Sequence, residues 1–213
     1  MTEIPAAVDF CAACAIRNRA ICADLECGSA LRIKRERHDC RLDHPELWLR
    51  PNANHLPRSK PGTMFANGGS SLGWNLGAAF GAKLAQPDKL VVSLTGDGSY
   101  LFGIPSSVYW MSRRYQAPFL TVIYNNQGWN ATKNNLLKLY PDGIAKRDDR
   151  YWVNFDQPAD LAKIAAAAGG AYALSVSDPE KLPEALAASV EMVKSGRSAV
   201  VDVKLPQISR QKD

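Results

Sequence analysis

KLVVSLTGDGS (residues 89–99) and PFLTVIYNNQG (residues 118–128) are the two stretches that decide the fold. Each opens as a short run of β-branched and apolar residues. Each then breaks into small or amide residues, Gly96-Asp97-Gly98-Ser99 in the first and Asn125-Asn126-Gln127-Gly128 in the second. A run that is apolar throughout, rather than alternating, is the pattern of a strand buried on both faces. Between the two breaks, Tyr100 to Tyr124 has room for one helix, predicted over about Pro105 to Tyr115, and for the second strand.

Working outward, the same alternation continues. Leu72 to Leu84 is apolar and rich in Ala and Gly, a closely packed helix. Pro158 to Ala168 predicts a helix, Ala171 to Val176 a strand, Pro179 to Lys194 a helix with Pro183 in its first turns, and Ala199 to Val203 the last strand. No element is assigned between residues 129 and 157. Strands separated by helices predict an α/β fold, a doubly wound parallel sheet with helices on both faces. Ligands of such sheets sit outside the carboxyl ends of the strands, and both polar breaks fall there.

Composition narrows the field. The chain has 213 residues, 46% hydrophobic and 22% charged, with a net charge of +5. That is ordinary for a globular protein and excludes disorder of the whole chain. Lys and Arg are scattered rather than gathered in a run, which argues against a nucleic-acid partner. No stretch is long and apolar enough to span a bilayer, and the N-terminus lacks a secretory pattern, so a cytoplasmic location is expected. All five cysteines lie between Cys11 and Cys40, and all three histidines between His38 and His55. The Pro/Asn-rich PNANHLPRSKPG (51–62) follows and reads as a linker. The expected organisation is therefore an irregular extension over 1–58 and the α/β domain over 59–213. A chain starting near Pro57 is expected to stay soluble and unfold cooperatively.

The two breaks suit one chemistry. A diphosphate is held by backbone N–H groups at a helix start and by a hard divalent cation with oxygen ligands. Gly96 and Gly98 let the backbone approach closely, Asp97 offers an anionic oxygen, and Asn126 a neutral one. Gly128 can present its backbone carbonyl, and Ser99 can cap the next helix. Either break alone would be an ordinary turn. Together, at consecutive strand ends, they are a candidate Mg²⁺ and diphosphate site.

The pair resembles the diphosphate-binding signature of thiamine diphosphate enzymes, which runs from Gly-Asp-Gly to Asn-Asn across one helix and one strand. The resemblance covers about residues 61 to 207. It implies that Asp97, the Asn126 side chain and the Gly128 carbonyl are metal ligands, and that Gly96, Gly98 and Ser99 lie at the diphosphate. Upstream, Gly68 to Ala79 (GGSSLGWNLGAA) is similar to the glycine-rich segment of acetolactate synthases and benzoylformate decarboxylases. That likeness implies cofactor contacts at Ser70, Ser71 and Leu72, with Leu72 as the apolar wedge between the two rings of thiamine. The competing reading of Leu72 is a core leucine at a helix start. The implied activity is a carboligase or decarboxylase acting on a 2-oxo acid. In that family the activating glutamate comes from a pyrimidine-binding domain of another subunit. No such domain is recognisable here, so a partner chain or homo-oligomer is expected and the chain alone is expected to be inactive. A catalytically silent cofactor-binding or partner-binding fragment is the alternative.

The extension carries its own signal. Cys11-x₂-Cys14-x₇-Cys22 resembles the cysteine segment of regulators of the fumarate–nitrate reductase type. Three readings stay open: an iron–sulfur cluster with Cys27 or Cys40, a zinc site with His38 or His44, and plain reduced thiols. A redox- or metal-sensing role would follow from either of the first two.

Overall fold

A computed structural model of the chain describes residues 30–33, 64–66 and 71–207. Six strands form one sheet: β1 (Ala30–Ile33), β2 (Met64–Ala66), β3 (Val91–Gly96), β4 (Leu120–Asn125), β5 (Tyr172–Val176) and β6 (Ala199–Lys204). Their order is β2-β1-β3-β4-β6-β5. The last four are mutually parallel, and β1 runs antiparallel to both β2 and β3. The extension therefore supplies one strand to the sheet, an addition that the sequence does not signal.

The helices are α1 (Trp74–Ala85), α2 (Asp97–Phe102), α3 (Pro105–Arg114), α4 (Asn130–Leu139), α5 (Ile144–Arg147), α6 (Leu161–Gly169) and α7 (Leu182–Lys194). The alternating side chains of the strands feed two separate cores. Val91, Ile123 and Val200 point to one face and pack with Leu76 of α1, Tyr100 of α2, Val108 and Tyr109 of α3, and Leu161 and Ala165 of α6. Val92, Leu120, Val122, Val201 and Val203 point to the other and pack with α7. The chain steps from β3 to β4, passes over β6 to β5, then returns to β6 through α7. Right-handed crossovers put helices on opposite faces when the direction of travel reverses, which is why α7 lies opposite α1, α2, α3 and α6. Its Leu182, Leu186, Val190 and Val193 recur at three- and four-residue spacing, one apolar stripe. Burying each such side chain contributes about 1.5–3 kcal/mol.

The predicted helices and strands from Leu72 onward are found, with some ends unchanged and the others shifted by one to three residues. The unassigned stretch 129–157 holds α4 and α5. Both are polar for much of their length and neither joins a core, so no apolar stripe announces them. Among the described residues, no helix is long and apolar enough to cross a membrane.

What matters for function is the register of β3 against β4. Gly96 lies beside Tyr124, so the chain leaves the two adjacent strands side by side, into Asp97 and into Asn125-Asn126.

Candidate functional site

Gly96 is extended and ends β3, and Asp97 is the first residue of α2. The Gly-Asp-Gly break is thus the start of a short helix rather than a turn ahead of a later one. Asp97 is buried. Its Oδ1 accepts from the Gly98 N–H at 2.7 Å and its Oδ2 from the Gly128 N–H at 3.1 Å. A carboxylate offers about four lone-pair sites, so both oxygens keep capacity for a cation. Burial pushes the Asp97 carboxyl up to about 6. Backbone donors from Gly98, Gly128 and Gln127 oppose that rise, and the charge of Asp202 adds to it. The fold keeps a carboxyl here at a cost that a neighbouring cation would offset.

The second strand end divides two adjacent amides. Asn125 is held on both sides: its Nδ2 donates to Asp202 Oδ1 at 2.9 Å, and its Oδ1 accepts from the Gln127 N–H at 3.1 Å. Asp202 also accepts from Lys204 Nζ at 2.6 Å. Asn126 is equally buried, at 1% exposure, yet neither its Oδ1 nor its Nδ2 has a partner. Such a group costs about 1–3 kcal/mol unless something pairs with it. Among the described residues, the other side-chain atoms in that condition are Trp129 Nε1 and Asn130 Nδ2, both within four residues of Asn126.

The segment after Asn126 is pinned from the far side. The Trp129 N–H donates to the Val153 carbonyl and the Phe155 N–H to the Gln127 carbonyl, with Gly128 bridged to Asn154. The Trp129 ring stands edge-on to Phe155 at 4.6 Å and lies against Gly98. A Cβ at Gly98 would collide with that indole, so the second glycine of Gly-Asp-Gly is fixed by packing as well as by backbone approach.

Ser99 lies in the first turn of α2 and does not cap a helix, because α2 has already begun two residues earlier. Its hydroxyl accepts from the Gly73 N–H at 3.1 Å and faces Asn75 Oδ1 at 3.4 Å; Asn75 in turn donates to Ser93 at 2.9 Å. This network ties α2 to the start of α1. Gly73 is left-handed (φ 83°), and a side chain there would strike the Phe102–Gly103 backbone. Leu72, just before it, is 43% exposed and so is not a core leucine. Ser71 is exposed. Phe102 and Ile104 are exposed on the adjoining stretch, and Ile104 holds a left-handed backbone (φ 50°), which is strained for a β-branched residue. Ser70 lies outside the described residues, as do all the cysteines and histidines of the extension.

The structure thus brings together Gly96, Asp97, Gly98, Asn126 and Gly128 at two neighbouring strand ends, with Ser99 and Leu72 beside them. Trp129, Asn130 and Asp202 escape sequence reasoning. The signal for Asp202 is a lone acid inside a β-branched strand, AVVDVK (199–204). For Trp129 and Asn130 it is an amide-rich run that continues past Asn126 into α4.

Comparison with known proteins points the same way. The family model for the C-terminal TPP binding domain of thiamine pyrophosphate enzymes matches residues 50–203. The acetolactate synthase isozyme 3 large subunit of Escherichia coli is 30% identical over 152 residues, covering 71% of this chain and 25% of that protein. The mitochondrial acetolactate synthase catalytic subunit of Aspergillus candidus is 33% identical over 144 residues, covering 66% of this chain and 19% of that protein. A solved structure, the thiamine diphosphate-dependent 4-hydroxybenzoylformate decarboxylase of Rhodococcus jostii RHA1, superposes with a TM-score of 0.54 at 23% identity. It covers 67% of this chain and 24% of that one, and it shows the same fold. The chain spans about a fifth to a quarter of the length of these relatives.

Proposed function

Since this chain belongs to the thiamine pyrophosphate enzyme family as a C-terminal TPP-binding domain, we propose that it holds Mg²⁺ and the cofactor's diphosphate for a 2-oxo-acid carboligase or decarboxylase similar to acetolactate synthase. The observation that carries this reading is Asn126. A side chain buried at 1% exposure with both polar atoms unpaired lies at the strand end next to Asp97, whose carboxyl burial has pushed up. A hard cation would answer the amide oxygen and the carboxylate together.

The residues fit the group. Asp97 and the Asn126 side chain would ligate Mg²⁺ together with the Gly128 carbonyl. Gly96, Gly98 and Ser99, where β3 passes into α2, would lie at the diphosphate, and Leu72, exposed just ahead of α1, would support the organic part. The bound cofactor supplies an electron sink for cleaving or forming the bond next to a 2-oxo acid's carbonyl. This chain orients the cofactor and balances its charge.

The aminopyrimidine end needs a second surface, which we assign to a pyrimidine-binding domain outside the described residues. That domain belongs to a partner subunit or to another copy. The exposed Leu72, Phe102 and Ile104 beside the site support an interface there. Isothermal titration of the chain with thiamine diphosphate tests the reading. Binding is expected with Mg²⁺ and not with a chelator present. Turnover of pyruvate or benzoylformate is expected only after a pyrimidine-domain partner is added, because acid–base assistance alone is worth about 10²–10⁴-fold. Failure to bind, or robust turnover by the homogeneous chain alone, would overturn the proposal.

A further inference from the structure

Asn75 is the second residue of α1, and its side chain is turned away from the role that position invites. Near a helix start, Asn commonly bonds the local backbone. Here α1 begins without a side-chain cap, and Asn75 reaches two other elements instead. It is fully buried, as is Ser93 in β3. Its Nδ2 donates to Ser93 Oγ at 2.9 Å, and its Oδ1 accepts from the Ser99 hydroxyl at 3.4 Å. With that proton directed at Asn75, the Ser99 oxygen presents a lone pair to the Gly73 N–H at 3.1 Å. The three contacts form one directed relay, from Gly73 through Ser99 and Asn75 to the middle of β3. The link between Asn75 and Ser99 is the longest of the three, so it depends most on the amide being held by Ser93. Gly73 is left-handed, the Phe102–Gly103 backbone closes the space beside it, and Leu72 is the residue before it. The turn's own backbone bond, from the Trp74 N–H to the Ser71 carbonyl, is 3.3 Å long. The relay adds a tie from that turn to the sheet.

We propose that Asn75 is a positioning residue of the cofactor site: it orients the Ser99 hydroxyl so that the Gly73 turn presents Leu72 to the rings of thiamine. The inference rests on the function proposed above, and it adds a residue that acts through Ser99 and Gly73 rather than by contact. Holding Leu72 in place before the ligand arrives lowers the ordering cost of binding. A side chain that merely filled the interior would affect all ligands alike, through stability. One that aims Leu72 affects only ligands that carry the rings, and only while Leu72 is there. That double condition separates the two roles.

The experiment uses the full chain and two probes, inorganic diphosphate and thiamine diphosphate, each with Mg²⁺. Asn75→Ala deletes the amide. Ser93→Ala leaves the amide in place and removes its anchor, so it carries the same test should Asn75→Ala not fold. Each is expected to weaken thiamine diphosphate about three- to tenfold, the range for one neutral hydrogen bond, and to leave inorganic diphosphate within about twofold of wild type. In a Leu72→Ala background the same substitutions are expected to cause no further loss for thiamine diphosphate, since the residue they aim is gone. A second readout needs no ligand. The Gly73 amide proton resonance is expected to move upfield in either variant, as it does in Ser99→Ala, while the resonances of β4 and β6 stay in place. The proposal is overturned if both probes weaken equally, if neither weakens, or if the loss adds in full to that of Leu72→Ala. A Gly73 resonance that stays in place in both variants overturns it as well. In those cases wild-type binding of both probes leaves the cofactor reading standing. If wild type binds neither probe, the cofactor reading fails and this inference with it.

Discussion

Asn125 and Asn126 are the same residue type at consecutive positions, equally buried, and they do opposite work. Asn125 belongs to the interior of the sheet, where buried polar groups are paired: Tyr109 with Thr121, Ser112 with Ser198, Asn75 with Ser93, and Asn125 with Asp202. Asn126 belongs to a segment of five residues, 126–130, that holds every unpaired buried side-chain atom found among the described residues. One region has its hydrogen bonds completed by the chain itself. The other leaves them incomplete where the two parallel strands end. The difference teaches where stability has been given up, and a stability deficit concentrated in one place marks a ligand site more sharply than polarity does.

The comparison breaks first at Asp97. Removing the carboxylate leaves the diphosphate charge unbalanced, so Asp97→Ala is expected to weaken Mg²⁺-dependent thiamine diphosphate binding several hundredfold, about 3–4 kcal/mol. Titration calorimetry reads it, and binding equal to wild type would remove Asp97 from the site. The same side chain carries a pH signature. Its folded pKa, about 6, lies above its ordinary value of 3.8. The folded state therefore binds more protons than the unfolded state between those values, and stability without metal falls as pH rises through about 4 to 6. The loss is at most about 3 kcal/mol. Mg²⁺ favours the carboxylate and should flatten that slope, and Asp97→Asn should abolish it. Urea unfolding at several pH values, with and without Mg²⁺, checks all three. A slope that persists in Asp97→Asn would assign it elsewhere.

The amide pair sharpens the contrast directly. Asn125→Ala strips a donor from buried Asp202 and an acceptor from the Gln127 N–H, and it is expected to cost about 2 kcal/mol of stability. Asn126→Ala removes two unpaired polar atoms, so stability should hold or rise slightly, while metal-dependent cofactor binding weakens about tenfold or more. Chemical unfolding and titration on the same two preparations give the crossed pattern. Equal losses in both measurements, or a larger binding loss at Asn125, would refute the register.

Much of this was legible in the sequence, for reasons tied to particular residues. Val91 to Thr95 and Leu120 to Tyr124 are apolar on both faces because the sheet is covered on both, and apolar runs survive translation into strands. The juxtaposition of Asp97 and Asn126 was legible because each follows a break at the end of a strand, and the two strands are neighbours. What stayed hidden depends on contacts that spacing does not encode. The start of α2 at Asp97 was masked by two glycines that read as a turn. Ser99 reads as a cap, but its hydroxyl is drawn to Gly73 across the fold. Asp202 is 77 residues from Asn125 and meets it only because β6 lies beside β4. The antiparallel β1 has no local signal, since its place comes from pairing with β3.

The smallest effect on stability is expected at Leu72, where it decides between two roles. A core leucine replaced by alanine loses about 2–5 kcal/mol. Leu72 is 43% exposed, so Leu72→Ala should change the unfolding free energy by no more than about 0.5 kcal/mol. Its surroundings are nevertheless firm. Gly73 follows in a left-handed turn that no other residue would fill without striking Phe102–Gly103, and its N–H is held by Ser99. An exposed apolar side chain on a fixed turn is preorganised for a contact that the chain alone does not provide. If that contact is the thiamine, losing most of the side chain forfeits about 1–2 kcal/mol of apolar burial in the complex, roughly five- to thirtyfold in affinity. Inorganic diphosphate, which lacks the rings, should bind Leu72→Ala as it binds wild type. Equal weakening for both probes would mean that the substitution disturbs the diphosphate site itself. A stability loss of core size would show that the leucine belongs to the folded interior after all.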